Sequence, residues 1–218
     1  KPLFFNVVLE AEHLTVVYAQ LTSPVLKVHK KMGDAFEKDE LLMELDKRVF
    51  ESNLQKAKAL VAKFEVELNA KKRLYADDAL SQFELEDTLA QLAGAEADYV
   101  IAQKMLEDTS IRAPYEGHVV KVAMKEFELA QTGKELLTLV DDSYLYAKFL
   151  VPSHYLQCLQ TGMTLEIFLR EKGEKVEAVL TRIAPVIDPA SSTVLAEARI
   201  DNTKRTLLPG MTGRVYLR

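Results

Sequence analysis

The stretch "TSIRAPYEGHVV" (residues 109–120) holds an apolar Ile111, a proline, a glycine turn and a valine-rich run. That is the composition of a strand opening a small β-domain. It follows directly on a segment that reads as helix. Either a second domain begins here or an earlier one resumes, and the fold turns on which.

Working outward, the chain-breaking residues are unevenly spread. No proline lies between Pro24 and Pro114, and no glycine between Gly33 and Gly94. Such a gap predicts long helices. On either side, short apolar runs separated by turns read as strands: VLKV, LLMEL, HVVKVAM, LLTLV, LYAKFLV, TLEIFL, KVEAVL and VLAEARI. Within the gap, Phe50, Leu54, Ala57, Val61, Phe64, Leu68, Lys71 and Tyr75 recur at alternating spacings of four and three. This is a heptad seam with one polar lapse, Lys71. The second half is less regular: Leu85, Leu89 and Leu92 start a seam that meets Glu96 and Gln103, while Ala93, Ala97 and Val100 form a drifted stripe. Between the two, YADDALSQ predicts a turn and then an N-cap, with Ser81 and Glu84 as a capping box.

Charge supports a hairpin. Residues 47–75 carry eight Lys/Arg against three acids, and residues 77–108 carry one Lys against nine acids. Antiparallel arms of opposite sign attract, whereas each alone repels itself. Exposed pairs contribute only about 0.2–1 kcal/mol each, so charge sets register and partner choice more than stability.

The runs VLKVHKKMGDAFEKDELLMELD (25–46) and VVKVAMKEFELAQTGKELLTLVDD (119–142) share one pattern: strand, polar turn, amphipathic link, and a Leu-Leu strand ending in Asp. A duplicated half-motif flanking an insertion predicts one small β-sandwich interrupted by the hairpin, because neither half can bury its apolar face alone. Residues 109–120 therefore resume a domain already begun.

These half-motifs resemble those of the membrane fusion proteins, the periplasmic adaptor family of Gram-negative tripartite efflux and secretion systems. KMGDAFEKDELLMELD, with Gly33-Asp34 and Leu45-Asp46, is similar to the family's first half-motif. IRAPYEGHV, with Ala113-Pro114 and Gly117, is similar to its second. RIAPVIDPASSTVLAEARIDNTKRTLLPGMTGRVYLR resembles its barrel signature through Ile183, Pro185, Asp188, Thr193, Asn202 and Leu208-Pro209-Gly210-Met211. Two departures stand out: Glu126-Phe127-Glu128 where a turn glycine is usual, and Ser23-Pro24 where a small residue and glycine are usual. The resemblance implies an α+β fold, mainly β, with a long inserted helical hairpin. Its parts are a split biotinyl-lipoyl-like sandwich (13–46 and 110–141), an antiparallel coiled-coil hairpin (47–109) and a β-barrel (142–218) joined by an N-terminal strand (1–12). A membrane-proximal domain is expected to be missing. The chain starts at Lys1 without a signal peptide, which is read as processing or shortening.

The resemblance further implies an adaptor linking an inner-membrane transporter, of the resistance-nodulation-division type in the favoured reading, to an outer-membrane channel. Protomers would assemble into a ring, a hexamer or a trimer of dimers, in the periplasm, with the full-length protein at the inner membrane. The alternatives are an adaptor for an ABC or major-facilitator exporter or type I secretion system, and a coiled-coil scaffold without transport. Pump-associated members share a tip pattern of Arg, then Leu four residues on, then Ser seven later, used for channel docking. Leu74 and Ser81 fit this spacing. Ala70 holds the Arg place, with Arg73 and Lys71 nearby as substitutes. The plainer reading makes Ser81 an N-cap and Leu74 a seal for the hairpin end.

Little else in the sequence suggests chemistry. A carrier lysine would sit in the tight turn between half-motifs, so neither Lys47 nor Lys104 fills that role. His13, His29, His118 and His154 lack ligand spacing, the methionines are scattered, and Cys158 is the single cysteine. Asp77-Asp78, Glu86-Asp87 and Asp141-Asp142 read as solvated turns or faces, since adjacent residues point apart. No nucleophile motif or phosphate loop occurs, so no catalysis, cofactor or metal is expected. The net charge of −5 gives no reason to expect nucleic acid. VPSHYLQCLQTGM (151–163) predicts a strand, a Ser153 N-cap, a short helix and a Gly162 C-cap, with Tyr155, Leu156 and Leu159 plugging the barrel.

Overall fold

The computed structural model describes residues 3–217; Lys1 and Pro2 of the expected N-terminal strand, and Arg218, lie outside them. In chain order the elements are β1 (Leu3–Tyr18), β2 (Ser23–Val28), β3 (Ala35–Phe36), β4 (Leu41–Leu45), α1 (Arg48–Ala76) and α2 (Gln82–Glu107). There follow β5 (Ser110–Arg112), β6 (Gly117–Val122), β7 (Leu129–Ala130), β8 (Glu135–Pro152), a 3-10 helix (Ser153–Cys158), β9 (Thr164–Leu169), β10 (Glu174–Ile183), β11 (Thr193–Asp201) and β12 (Thr212–Leu217).

Two bodies share two long strands. The outer halves of β1 and β8 belong to a closed barrel in the order β1-β12-β9-β10-β11-β8, shut by pairing of Val7–Ala11 with Phe149–Leu145. Its alternating strands bury Leu9, Leu145, Ile167, Leu180, Ala198 and Val215, as period-two patterning requires. The inner halves, His13–Tyr18 and Glu135–Asp141, pair with each other, and β8 pairs on with β6. They cover the second sheet, β5-β4-β2-β7, over a core of Leu42, Met43, Leu45, Leu136, Leu137 and Leu139.

The ladder between β1 and β8 breaks register at Ala11/His13, where Leu145 gives way to Asp141 as partner. The expected divisions at 12/13 and 141/142 thus fall inside continuous strands, at an irregularity and not at a chain break. β1 and β8 thus pass from one body into the other without leaving their strands.

The internal repeat reaches the level of hydrogen bonds. β2 and β6 show nearly the same burial sequence, and β4 matches the first five residues of β8. The short strands are exchanged, β3 pairing with β6 and β7 with β2. Gly33 N donates to Val119 O and Phe127 N to Val25 O, both at 2.8 Å. Each half thus completes the other's sheet.

The 3-10 helix differs in its caps from expectation. Pro152 precedes it, Ser153 is its first residue, and Leu159 follows it. Gly162 lies beyond, at φ +91°, where its N–H donates to Leu180 O at 2.7 Å. The tight turn into β9 needs that left-handed backbone, so the glycine serves the strand rather than the helix end. Leu159 is buried and Tyr155 packs against the barrel core.

Candidate functional site

The hairpin is the feature that reaches away from both cores. On α1 the half-buried or buried positions include Phe50, Leu54, Ala57, Val61, Phe64, Leu68 and Lys71, while Tyr75 is exposed. On α2 the contacts correct the sequence reading. The inward positions are Leu85, Thr88, Leu92, Ala95, Tyr99, Ala102 and Leu106, and Leu89 faces outward with Ala93, Ala97 and Val100. The spacing is an unbroken three-four alternation. A hydropathy reading misses it because Thr88, Ala95 and Ala102 are too small or polar to mark a seam.

Thr88 also resolves the polar lapse on α1. Lys71 Nζ donates to the buried Thr88 Oγ1 at 2.7 Å, Thr88 Oγ1 donates to Glu84 O at 3.1 Å, and Glu67 pairs with Lys71 at 3.0 Å. The Lys71 ammonium thus gives one proton to a hydroxyl within the helix pair while Glu67 pairs with it from its own helix.

At the base, α1 has no side-chain cap from Lys47. Asp46 supplies it from one position earlier, accepting from Arg48 N at 3.1 Å and from Arg48 Nη2 at 2.6 Å. Its own backbone is tied to β2: Asp46 N donates to Pro24 O and Ser23 Oγ donates to Asp46 O. The Arg48 guanidinium, and then the Arg48 amide, pull the Asp46 carboxyl from its ordinary 3.8 down to about 2. A lowered folded-state value means the contribution is complete above pH 3.8 and is lost as pH falls towards about 2. We expect amide-exchange protection of the first turn of α1 to fall across that window. Asp46→Ala should remove it at neutral pH and leave α2 protected.

At the tip, α1 ends at Ala76. Asp77 N donates to Arg73 O, Ala79 N to Leu74 O, and Asp78 turns the chain at φ +56°. Ser81 is the N-cap of α2 in a complete capping box: Ser81 Oγ accepts from Glu84 N, and Glu84 Oε2 accepts from Ser81 N at 3.1 Å and Ser81 Oγ at 2.7 Å. The Ser81 hydroxyl and then its amide hold the Glu84 carboxyl below the ordinary range, with Lys71 adding to the effect. Arg73, Leu74 and Ser81 all lie on this exposed tip, Leu74 at 47% exposure. Phe83, at 78%, is a large apolar group the sequence reading passed over. Its place in the first turn of a capped helix, off the seam, is the signal that could have found it. The tip presents Leu74, Tyr75 and Phe83, all exposed, among the exposed Arg73, Asp77 and Asp78.

The remaining candidates are paired elsewhere. His29 meets Glu44 at 3.5 Å and His118 meets Asp142 at 2.8 Å. Among the described residues no cluster of three or more His, Cys, Asp or Glu is placed to hold a metal ion, and no helix is long and apolar enough to cross a membrane.

Residues 146–218 match the family model described as "CusB-like, beta-barrel domain". The chain is 27% identical over 217 residues to the antibiotic efflux pump periplasmic linker protein ArpA of Pseudomonas putida, covering 92% of this chain and 56% of ArpA. It is 26% identical over 193 residues to the solvent efflux pump periplasmic linker SrpA of the same organism, covering 78% and 49%. The chain is thus similar to periplasmic linkers of efflux pumps over most of its length, and to the CusB-like barrel over its last third. Solved structures share its fold. A MacA-MexA chimera carrying the α-hairpin domain of Pseudomonas aeruginosa MexA gives a TM-score of 0.84 at 21% identity, covering 100% of this chain and 80% of the chimera. The membrane fusion protein Spr0693 of Streptococcus pneumoniae R6 gives 0.77 at 16%, covering 99% of each. The chain spans about half the length of the curated relatives it matches.

Proposed function

We propose that this chain is the adaptor part of a tripartite efflux system in the periplasm, joining an inner-membrane transporter to an outer-membrane channel. The observation that carries the reading is a charged helical hairpin of 29 and 26 residues, tied at its base by Asp46 to a body that shares two long strands with the barrel. At 1.5 Å per residue each arm reaches about 40 Å. A two-helix arm of that length gains nothing from its reach unless something meets its end. Relatives named periplasmic linkers of efflux pumps support both the role and the compartment.

In this reading residues 13–46 and 110–141 form the lipoyl-like domain, 47–109 a coiled-coil hairpin, and 1–12 with 142–218 the barrel unit. Leu74, Ser81 and Arg73 dock on the channel. Ser81 contributes by fixing the turn, because its hydroxyl is already engaged by Glu84. The transporter is of the resistance-nodulation-division type, and copies assemble side by side into a ring. The mechanism is geometric, without bond chemistry.

Ser81→Cys carrying a short crosslinker tests the assignment in cells. Capture of an outer-membrane channel supports the adaptor. Capture of a soluble scaffold partner, or of nothing while the protein is folded and expressed, overturns it.

A further inference from the structure

Both halves of the internal repeat line one cleft of about 580 Å³, within the size range of small-molecule sites. The lining comes in matched pairs: Val28 of the first half with Val122 of the second, and Lys31 with Lys125. The turns that carry the lysines are built alike. Lys31 N donates to Asp34 Oδ2 at 2.7 Å, and Lys125 N to Glu128 Oε2 at 2.9 Å. Two residues further on, Gly33 and Phe127 donate their N–H groups into the opposite half, to Val119 O and Val25 O. Both have left-handed backbone, φ +89° and +71°. Glycine adopts this conformation freely, while a bulky aromatic side chain resists it. Phe127 is nevertheless held there and lines the cleft, 82% exposed. Strained backbone of this kind gathers at ligand clamps and switch regions. A glycine makes the same turn in the first half, so what the second half gains from phenylalanine is the ring.

The charge around the cleft is one-sided. Among the described residues the ammonium groups of Lys31 and Lys125 make no ion pair or hydrogen bond. The acids beside them are already engaged: Asp34 and Glu128 by the amides just named, and Glu126 by Val28 N at 3.1 Å. A third lysine, Lys30, also lines the cleft, but its Nζ is taken by Glu40 and by Ala35 O, each at 2.7 Å. Two free cations therefore border a lining that holds Phe127, the exposed Met32 and the buried Met124. What complements such a surface is apolar over most of its length and negatively charged at one end.

We propose that this cleft binds a free amphiphilic anion, a small molecule with an apolar body and a single carboxylate or sulfonate. The body packs on Phe127 and on the two methionines, whose unbranched thioethers adapt to different shapes. The acid pairs with Lys31 and Lys125 through charge-assisted hydrogen bonds. An uncharged analogue leaves both ammonium groups without a counter-ion, and a short acid leaves the apolar wall uncovered. The site lies on the sandwich and not on the hairpin tip, and it stands independently of the adaptor assignment.

Isothermal titration calorimetry with decanoate tests the site, and the repeat supplies the variant. Decanoate should bind one to one, with decanol and acetate each weaker by about tenfold or more. Phe127→Gly should weaken decanoate by about tenfold or more, while Tm stays equal to or above that of the parent protein because the strain is relieved. Lys31→Gln combined with Lys125→Gln should bring decanoate down to the affinity of decanol. No binding of decanoate to the parent, decanol binding as tightly as decanoate, or an unchanged decanoate affinity in either variant overturns the proposal. Phosphatidylglycerol vesicles separate a free ligand from a lipid surface. Co-sedimentation of the parent that Phe127→Gly abolishes would make the cleft a membrane contact and overturn the free-ligand assignment, and vesicles that leave the parent in the supernatant support it.

Discussion

Gly117→Ala is expected to lower the stability of the β body by about 3 kcal/mol or more, at the upper end of what overpacking costs. The backbone conformation does not cause this, because Gly117 has an ordinary φ. A Cβ there would lie 2.0 Å from Val140 O and 2.9 Å from Val140 C. Both are backbone atoms of β8, the strand that runs through sandwich and barrel, so no side chain can rotate away to make room. The internal repeat shows why the position tolerates so little. Its counterpart in the first half is Ser23, whose hydroxyl donates to Asp46 O at 2.8 Å. There the neighbouring chain is leaving for α1 and a side chain fits. In the second half β8 continues straight on, and the strands close up. Exchanging the two makes the test specific: Ser23→Gly should cost only the hydrogen bond, about 1 kcal/mol, whereas Gly117→Ser should unfold the protein at markedly lower temperature. Melting followed by circular dichroism separates them. Equal losses for the two substitutions would remove the close approach as the explanation.

Legibility followed from whether a residue's role was local. The repeat could be read in one dimension because strand, turn and Leu-Leu strand recur in order, and the hairpin because its arms lack breakers and carry opposite charge. The α2 seam could not, because its inward positions are chosen for size against α1 and not for hydropathy: Ala95 and Ala102 are buried while Ile101 and Leu89 are exposed. The cap of α1 was hidden for a similar reason, since Asp46 reads as the end of a strand and acts two positions before the helix begins. The exposed tip residues Leu74 and Ser81 came only from family spacing. Ser81 as N-cap needed no resemblance, because Ser-x-x-Glu before an apolar-periodic run is a physical signal on its own. Phe127 lies between these cases. Its oddity is visible in the sequence as a missing glycine, but only the structure shows that its backbone is left-handed, at φ +71°.

Asn202→Ala should cost a comparable amount, about 3 kcal/mol, by a different route. Asn202 is buried at the end of β11, and its side chain closes the loop to β12 onto β8. Nδ2 donates to Asp142 O at 2.7 Å and to Leu207 O at 2.9 Å, while Oδ1 accepts from Leu207 N at 3.0 Å. The backbone reinforces it, with Asn202 N donating to Ser143 O and Arg205 N to Asn202 O. Truncation leaves two carbonyls and one amide without partners in a water-poor site, and each stranded group costs about 1–3 kcal/mol. Asp keeps the shape but cannot donate to the carbonyls, and it buries a charge beside Asp142, itself buried and paired with His118 and Arg205. Asn202→Asp should therefore be at least as damaging as Asn202→Ala at neutral pH. The loss should also be local in a way Gly117→Ala is not. Asp142 and Ser143 sit where the β1–β8 ladder breaks register, so freeing them loosens the joint between barrel and sandwich before either core melts. Spin labels on Glu177 and Lys38 should report a broader distance distribution in Asn202→Ala at temperatures where circular dichroism is still native. An unchanged distribution up to global melting would mean that the loop only stabilises the barrel and does not hold the joint.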